Sequence, residues 1–431
     1  MPRIAFHTLG CKVNQGETAA MVHLFREAGY DVVDFNDVAD VYVVNSCAVT
    51  VQAERKSRQM LHRARNANPG AMLVMVGCYP QAAQGELPEL SDVDLIIGSS
   101  EKPQIVELVE RARAQASPLI AVSRWTDDTR YAMISTSQEV GRTRATLKVQ
   151  DGCQQFCAYC IIPYARGPER SRSLDSVLDE TRQLIAAGYQ EVVLTGIHLG
   201  SWGRDLQQPS SLSSLAEAML AVPGLQRLRL SSVEPNDITP ELIELMRHHP
   251  NFCRHLHIPL QTGQDEILAA MNRRYNTAEY RAIVEQVRAA VPRVAITTDV
   301  IVGFPGETDE HFAETLQFVE SIGFSRLHVF RYSPRPRTPA ATMPNQVPGQ
   351  VKEERARRLI ALGEVMRRQF CQRMVGETWQ VLWEQEHDGV WSGHTDTYVS
   401  VQAQSDALAS NQLSPVRVVR LTDAGVFGEP V

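Results

Sequence analysis

The sequence predicts an α/β protein with three parts: an N-terminal parallel-sheet α/β domain, a central partial (β/α)6 barrel and a small C-terminal β-barrel. Three observations support this. Residues 1–120 alternate β-branched runs with helical patterns, residues 139–370 repeat a strand followed by a helix six times, and residues 371–431 change to short strands. A length of 431 residues also favours two or three domains over one core.

The N-terminal part has a βαβαβ rhythm, which is typical of a parallel sheet. The stretch from Val122 to Gln138 has weaker periodicity and is interpreted as a connector. The predicted elements are strands at Arg3 to Leu9, Val41 to Asn45 and Ala71 to Val76, with helices near Glu17 to Ala28 and from Val51.

The central part contains six β/α units in about 190 residues, which fit an open, partial barrel better than a closed eight-fold barrel of about 250 residues. Functional residues are then expected at the carboxyl ends of the strands. The predicted strands are Ala145 to Gln150, Glu191 to Leu194, Arg227 to Leu230, Arg254 to Ile258, Val294 to Ile301 and Arg326 to Phe330.

The C-terminal part follows a segment rich in Pro and Arg, Pro334 to Pro348, and a charged helix from about Lys352 to Met374. Its short strands and turn residues predict a small barrel of the oligonucleotide-binding kind. These strands are predicted at Glu377 to Glu384, Gly389 to Gly393, Tyr398 to Ala403 and Pro415 to Leu421.

Composition restricts the class of protein. The formal net charge of -7 argues against a chain that coats nucleic acid along its whole surface, although local basic patches are compatible with it. With 43% hydrophobic residues, no apolar run near 18 residues and no apolar leader, we expect a soluble, unexported, cytoplasmic protein. In that compartment eight cysteines indicate metal binding or reactivity in preference to disulfides.

The strongest single motif is a C-x3-C-x2-C triplet, Cys153, Cys157 and Cys160, in the loop after the first barrel strand. Three thiolates at this spacing can hold three irons of a [4Fe-4S] cluster and leave the fourth iron open to another ligand. A zinc site is the alternative, but a structural zinc centre usually has four protein ligands. The spacing therefore favours an iron-sulfur cluster.

A second cysteine set is dispersed. Cys11, Cys47 and Cys78 follow the first, second and third predicted strands, and parallel strands end at one edge of a sheet. We therefore expect these residues to converge on a second three-thiolate site, whereas for any one of them alone a buried structural role would be the default. Cys253 and Cys371 have no such companions and are interpreted as structural.

The cysteine loop resembles that of the radical S-adenosylmethionine (SAM) superfamily, and the whole chain resembles its methylthiotransferase branch. The segment Thr195 to Gly203, TGIHLGSWG, is most similar to the enzymes that modify threonylcarbamoyladenosine beside the tRNA anticodon. The other matching stretches are Thr8 to Gln15 (TLGCKVNQ), Val44 to Thr50 (VNSCAVT), Gly77 to Gln81 (GCYPQ), Gln150 to Arg172 (QDGCQQFCAYCIIPYARGPERSR) and Thr298 to Thr308 (TDVIVGFPGET).

The resemblance implies two [4Fe-4S] clusters, SAM as methyl donor and radical source, and insertion of a methylthio group at C2 of the adenosine. It also implies a TRAM domain that binds RNA at the C-terminus, tRNA as substrate, an external electron donor and a sulfur source. Cys153, Cys157 and Cys160 would start the radical chemistry, whereas the cluster on Cys11, Cys47 and Cys78 would carry sulfur. A radical is needed because acid–base groups have little effect on an aromatic C–H bond.

Residues after successive barrel strands are candidates for binding SAM. Each has a structural alternative: a turn glycine, a solvated carboxylate, a cap or an ordinary salt bridge. Arginine forks after the cysteine loop suit a carboxylate or a phosphate. The candidates are Gly196, Glu234, Gln261, Asp299 and Gly303 at the strand ends, and Arg166, Arg170 and Arg172 after the loop.

Candidates for RNA contact lie near the C-terminus. The segment Lys352 to Arg373 has seven Lys and Arg against three Glu, opposite in sign to the whole chain, so it can attract phosphate or form a solvated helix face. Aromatic residues of the tail can stack on bases or fill the barrel core. The remaining candidates are Arg331, Arg335, Arg337, Trp379, Trp383, Trp391 and Tyr398.

Two other functions are compatible with parts of the sequence. One is the same chemistry on an aspartate of a ribosomal protein, and the other is a non-catalytic iron-sulfur regulator that binds RNA. A regulator would not need Glu234, Gln261 and the GFPGE segment on one barrel edge, so these residues favour an enzyme.

Overall fold

The computed structural model describes residues 1–84, 87, 92–115, 118–126, 131 and 143–431. Most of the predicted connector, Val122 to Gln138, and the predicted domain start at 139 lie outside these residues. The chain forms two compact units. The first comprises Met1–Glu139, Gln150–Ser171 and Ser333–Thr342, and the second comprises Val140–Val149, Arg172–Tyr332 and Met343–Val431.

The first unit is built on a parallel six-stranded sheet of order β2-β1-β3-β4-β5-β6. The central strand β3, VYVVNS, is buried along its whole length, as expected for a strand covered on both faces. The elements are β1 Arg3–Thr8, α1 Lys12–Glu27, β2 Asp31–Val33, β3 Val41–Ser46, α2 Val51–Ala67, β4 Met72–Gly77, α3 Cys78–Ala82, β5 Leu95–Ile97, α4 Ile105–Ala114 and β6 Leu119–Ala121.

The cysteine loop belongs to this first unit. Two short strands, β8 Gln150–Asp151 and β9 Arg170–Ser171, pair antiparallel and close the loop at its base, and helix α5 Ile162–Arg166 lies between them. Helices α3 and α5 pack through a small apolar cluster that includes Ala82 and Ala165. The loop is therefore anchored on the sheet of the first unit.

The second unit contains six parallel strands in two three-stranded sheets, β11-β10-β7 and β12-β13-β14. Bridges between Leu228 and Phe252 and between Ser232 and His257 join β11 to the segment around β12. The open, partial barrel is therefore confirmed. Its strands are β7 Arg144–Lys148, β10 Glu191–Thr195, β11 Arg227–Leu230, β12 His255–His257, β13 Ala295–Val302 and β14 Arg326–Arg331.

Helices cover the barrel and enclose an apolar core that includes Trp202 and Tyr280. Side-chain caps fix several helix starts: Thr239 caps α8, and Asn276 and Thr308 form capping boxes with the third residues of α10 and α11. The helices are α6 Leu174–Ala186, α7 Leu212–Leu220, α8 Pro240–His248, α9 Asp265–Ala270, α10 Thr277–Ala290, α11 Asp309–Ile322 and α12 Gly349–Gln372. No helix in the described part of the chain is long and apolar enough to cross a membrane.

The C-terminal segment is a closed five-stranded barrel of order β15-β16-β17-β19-β18, which confirms the predicted barrel. Trp379 and Trp383 are buried in its core, so for these two side chains the structure agrees with the alternative that they fill the barrel and do not stack on bases. The indole is large enough to fill a small barrel. The strands are β15 Thr378–His387, β16 Val390–Thr395, β17 Ser400–Ala403, β18 Leu413–Leu421 and β19 Val426–Pro430.

Several of the predicted phosphate contacts are used inside the protein. In the second unit, Arg355 of α12 is buried against Glu307, and Arg367 pairs with Glu364. In the first unit, Arg335 is buried against Glu54. Glutamates of the same units therefore neutralise part of the positive charge of these segments. Fewer arginines are available to bind phosphate than the sequence count indicated.

Candidate metal centre and active site

The dispersed cysteines follow neighbouring strands of the first unit. Cys11 precedes α1 at the end of β1, Cys47 directly follows β3, and Cys78 directly follows β4 as the first residue of α3. The register pairs Ser46 with Gly77, so the last two cysteines leave adjacent strands at the same level. The structure therefore brings Cys11, Cys47 and Cys78 to one edge of the sheet.

Two glycines allow this convergence. Gly10 and Gly77 have positive φ angles of 109° and 111°, which glycine adopts without strain. A Cβ on Gly10 would lie 3.0 Å from the Cys47 Cβ, and one on Gly77 would lie 2.6 Å from Asn45 Oδ1. Both positions need the absence of a side chain to let neighbouring strand ends approach.

Burial and mutual repulsion disfavour thiolates at this edge. Burial raises the pKa of Cys47 to about 12, and the charge of Cys78 adds to this effect. Desolvation also raises the pKa of Cys11. Cys11 is nevertheless an exposed residue, so solvent still reaches its crowded surroundings. The Arg166 guanidinium acts in the opposite direction on the pKa of both thiols.

The three cysteine thiols at this edge of the sheet are suited to bind a cationic metal group. Three thiolates in one place repel each other, which favours the protonated thiols. A bound metal cation is the largest local positive charge, so it favours the thiolates instead. Thiolates are also the ligands that iron-sulfur clusters take. The residues at this edge therefore have both the chemistry and the electrostatic need for a metal cluster.

Sequence reasoning missed two residues of α1 that organise this edge. Asn14 is buried, and its Nδ2 donates to Leu9 O at 2.8 Å and to Ser46 O at 3.0 Å, which ties the ends of β1 and β3 together. Glu17 is buried and pairs with Lys102 and Arg166. Their positions three and six residues after Cys11 place them along one helix side, which was the available signal.

The loop cysteines are held by backbone contacts. Cys160 N–H donates to Cys157 O at 2.9 Å, which closes a turn between the second and third cysteines. Cys153 N–H donates to Gly167 O at 3.0 Å, which fixes the first one to the returning chain. The preceding Gly152 has a φ of 78°, and a Cβ there would lie 1.8 Å from Pro168 O. The loop conformation is thus built around glycine.

An open cavity of 380 Å³ borders this loop within the first unit. It is lined by Cys153 and by the aromatic residues Phe156, Trp125 and Tyr164. Phe156 has a left-handed φ of 48° and an exposed ring, and Arg337 stacks on Tyr164 at 4.5 Å. Cys153, the first of the loop cysteines, therefore lies at the wall of an aromatic, cationic cavity.

In the second unit, most of the predicted cofactor residues follow the carboxyl ends of successive parallel strands, whereas Asp299 lies within β13. Gly196 directly follows β10 and Glu234 comes after β11. Gln261 bridges to Val300 of β13, and its left-handed φ of 68° is unusual for a residue that is not glycine. Strain of this kind is concentrated at functional sites. Asp299 of β13 lies 3.2 Å from His257 Nε2.

Several of the candidates have contacts within the protein. Glu234 pairs with the buried Arg273. Gly303 has a φ of 72°, and a Cβ on it would lie 2.3 Å from the Lys352 side chain, so packing of α12 explains this glycine. Arg166 is fully buried in the first unit, bonded to Glu17 and Asn14, an arrangement that does not favour its predicted contact with the cofactor.

Sequence reasoning also missed a buried pair beside Gly196. His198 Nε2 lies 2.7 Å from an oxygen of Asp237, which follows Glu234 along the same loop. The bond to His198 and the nearby Arg204 lower the pKa of Asp237 in spite of its burial. The pair locks the loops after β10 and β11 to each other.

Two family models match the chain. Residues 147–319 match the radical SAM superfamily, and residues 3–98 match a family described as uncharacterized protein family UPF0004. The first match contains the loop cysteines and all of the strand-end candidates. The second contains Cys11, Cys47 and Cys78.

The similarity to curated relatives extends over nearly the whole chain. The threonylcarbamoyladenosine tRNA methylthiotransferase MtaB of Bacillus subtilis (strain 168) is 41% identical over 406 residues, which is 93% of this chain and 90% of that protein. The chain belongs to the MtaB family. The MtaB protein of Thermotoga maritima is 37% identical over 429 residues, which is 99% of this chain and 96% of that protein.

A second group of relatives is less similar. The tRNA-2-methylthio-N(6)-dimethylallyladenosine synthase of Acetivibrio thermocellus is 34% identical over 421 residues, 96% of this chain and 87% of that protein. MtaB family members are thus radical SAM methylthiotransferases, and the radical SAM family implies SAM and a [4Fe-4S] cluster as cofactors.

Solved structures support the fold. The radical SAM methyltransferase TsrM of Kitasatospora setae has a TM-score of 0.58 at 15% identity, covering 79% of this chain and 75% of its own. The cobalamin-dependent SAM radical enzyme OxsB has a TM-score of 0.53 at 12% identity, covering 85% and 56%. At these identities the likeness concerns the fold alone.

Proposed function

We propose that the protein is a tRNA methylthiotransferase that inserts a methylthio group at C2 of threonylcarbamoyladenosine next to the anticodon. One observation carries the proposal. A chain that is 41% identical to the Bacillus subtilis MtaB protein over 406 residues has one cysteine triplet at a sheet edge and a second in a loop of the same unit. Each triplet supplies the three thiolates of one [4Fe-4S] cluster.

In this proposal the loop triplet, Cys153, Cys157 and Cys160, holds the cluster at which SAM binds. Together with SAM, that cluster supplies radical chemistry, which a stable aromatic C–H bond requires. Gly196, Glu234, Gln261, Asp299 and Gly303 form the edge of the barrel that binds the cofactor, in keeping with the strand-end placement of barrel sites. Gln261 is held beside β13 by backbone bonds to Asp299 and Ile301, which fixes its place at this edge of the barrel.

The sheet-edge triplet, Cys11, Cys47 and Cys78, holds the second cluster and delivers sulfur. The convergence of these cysteines at the ends of neighbouring strands supports this role, since three thiolates in one place are the ligands of an iron-sulfur cluster. Cys11 is the most exposed of the three and lies at the mouth of the site. The external sulfur source would reach the cluster from that side.

The closed C-terminal barrel is the proposed TRAM-like domain that binds tRNA, with the predicted limits 371–431. Its strand β18 buries Val416 and Val418 and exposes Arg417 and Arg420, so the outer side of the strand bears two cations. Cations on an outer barrel face attract phosphate without a demand on sequence. The predicted limits 1–120 and 139–370 are proposed for the other two domains.

Two further parts of the proposal follow from the chemistry. An external electron donor reduces the loop cluster, because the radical chemistry consumes an electron. The enzyme works in the cytoplasm, where its tRNA substrate is found and where thiols stay reduced.

The test is anaerobic reconstitution followed by incubation with tRNA, SAM, sulfide and a reductant. Nucleosides from the digested tRNA are then separated and weighed by mass spectrometry. The proposal expects 2-methylthio-threonylcarbamoyladenosine and no methylthio product from tRNA that has dimethylallyladenosine instead. Product only from the tRNA with dimethylallyladenosine would show that the protein shares its substrate with the second group of relatives. No product from either tRNA would reject the proposal.

A further inference from the structure

Arg166 has an unusual place in the first unit. It is the last residue of α5, six residues after Cys160, and it is 0% exposed. Its Nε donates to the Cys78 Sγ at 3.2 Å. Most of the other bonds of the guanidinium are to α1: Nη1 donates to Glu17 Oε1 at 2.5 Å, and Nη2 donates to Asn14 Oδ1 at 2.6 Å and Glu17 Oε2 at 3.0 Å. Nη1 also donates to Asp151 Oδ2 at 3.4 Å.

The Nε–H of Arg166 is a buried donor that requires an acceptor, and the Cys78 sulfur is in that position. The two terminal nitrogens form a fork with the Glu17 carboxylate, which is the geometry that arginine and carboxylate prefer. The fork and the bond to Asn14 link α5 to α1. The third side of the guanidinium is instead directed at a candidate cluster ligand.

Buried charged groups surround Arg166. Arg166 and Lys102 both pair with Glu17, and Arg166 and Arg170 both pair with Asp151. A guanidinium held in this way also stabilises negative charge on an adjacent sulfur. The group in contact with Arg166 is the sulfur of Cys78.

We propose that Arg166 is a positioning residue of the site formed by Cys11, Cys47 and Cys78: it fixes the Cys78 sulfur and offsets negative charge on it. The inference rests on the proposed function, because it needs a cluster at that site. It also reassigns Arg166, which the sequence suggested as a contact of SAM. Helix α5 directly follows the cysteine loop and ends at Arg166, which bonds to Cys78. Arg166 therefore links the loop triplet to the sheet-edge triplet.

The test isolates the sheet-edge site. In a parent variant with Cys153, Cys157 and Cys160 replaced by Ala, only Cys11, Cys47 and Cys78 remain to hold a cluster. Iron per chain and the midpoint potential from an EPR-monitored redox titration are measured for the parent and for Arg166→Met, Arg166→Lys and Glu17→Gln. Hydrogen bonds to sulfur and net charge set such potentials.

Arg166→Met is expected to lose about half or more of the bound iron and to shift the potential in the negative direction. Glu17→Gln removes a negative charge but keeps the guanidinium, so its potential should shift in the positive direction. Arg166→Lys keeps the charge without the fork, and its potential should stay closer to the parent than that of Arg166→Met. The matched control is Arg335→Met, which removes a buried arginine of the same unit, paired with Glu54, and should leave the potential unchanged.

The outcomes separate the two claims. A parent that binds no iron rejects the second cluster and therefore the proposed function. A parent that binds iron, with equal potentials in Arg166→Met and the parent, or with shifts of the same sign in Arg166→Met and Glu17→Gln, overturns the positioning role and leaves the cluster intact. If Arg166→Met does not fold, Arg166→Lys is compared with Glu17→Gln in its place. Shifts of the potential in opposite directions support the positioning role, and shifts of the same sign overturn it.

Discussion

Gly10 and Cys47 are in direct contact: a Cβ on Gly10 would lie 3.0 Å from the Cys47 Cβ and 3.2 Å from its Sγ. The two residues leave β1 and β3, so this contact sets how closely the strand ends that bear Cys11 and Cys47 approach. The spacing of the proposed ligands thus depends on a residue that contributes no ligand atom.

Replacing Gly10 with Ala should lower both stability and iron content. The left-handed φ of 109° costs an alanine about 1 kcal/mol, and the collision with Cys47 adds to it. We expect the free energy of unfolding, measured by urea denaturation, to fall by about 2 kcal/mol. Gly29→Ala is the control, because Gly29 has a φ of 80° but open space around it. If Gly10→Ala and Gly29→Ala lost equal amounts of iron, the contact between Gly10 and Cys47 would not control iron binding.

Gly152→Ala should prevent iron from binding to the loop triplet. The Cβ would lie 1.8 Å from Pro168 O, so the base of the loop must open and Cys153 must move. We expect at least a tenfold loss of SAM cleavage, which is followed as 5'-deoxyadenosine release. Gly389→Ala has nearly the same φ, 77°, with no atom in the way, and should retain cleavage. Normal cleavage in Gly152→Ala would contradict the described loop.

Cys11→Ala should separate the two proposed roles. Loss of one ligand at the sheet edge should abolish methylthio insertion into tRNA, whereas SAM cleavage should stay within about twofold of wild type because the loop triplet is intact. Both products are measured from one reaction by mass spectrometry. Cys371→Ala, at a buried helical cysteine, is the control for losing a thiol. Loss of both activities in Cys11→Ala would contradict the division of labour.

The Glu191–Arg229 pair should make the second unit sensitive to acid. Glu191 is fully buried, and although burial alone would raise its pKa, Arg229 and Arg227 lower it to about 2. Because the pKa is lower in the folded state, the pair stabilises the fold above the unfolded pKa of about 4.5. This stability is lost as the pH falls from about 4.5 to 2, and it amounts to something on the order of 3 kcal/mol.

The measurement is the free energy of unfolding of cluster-free protein between pH 6 and pH 3. Glu191→Gln should be less stable than wild type at pH 6, and the difference should shrink towards pH 3. A constant difference across this range would mean that the pair does not titrate as described. Glu244→Gln, in an exposed pair with Arg247, should change the curve little.

Long, periodic elements could be predicted from the sequence. The barrel strand Arg227–Leu230 and the start of α2 at Val51 match their predicted positions, because alternating and helical patterns are strong there. Helix α1 begins at Lys12 and not near Glu17, since Cys11 precedes it without a side-chain cap to mark the start. The three-residue strands Asp31–Val33 and Leu95–Ile97 are too short for a periodic signal.

The site could be predicted only in part. The loop triplet follows from local spacing, and strand order explains the sheet-edge triplet. The roles of Asn14 and Glu17 could not be read from the sequence, because their partners Ser46 and Lys102 are distant in the chain. Likewise, an arginine after a cysteine loop suggests an anion ligand, and only the tertiary structure shows that Arg166 is buried.

The central claim is that the chain holds two clusters on two separate triplets. Iron and sulfide counts after anaerobic reconstitution test it most directly, in wild type, in a variant with Cys11, Cys47 and Cys78 replaced by Ala, and in one with Cys153, Cys157 and Cys160 replaced by Ala. We expect about eight irons per wild-type chain and about four in each triple variant. About four irons in wild type, unchanged by loss of the sheet-edge triplet, would contradict it.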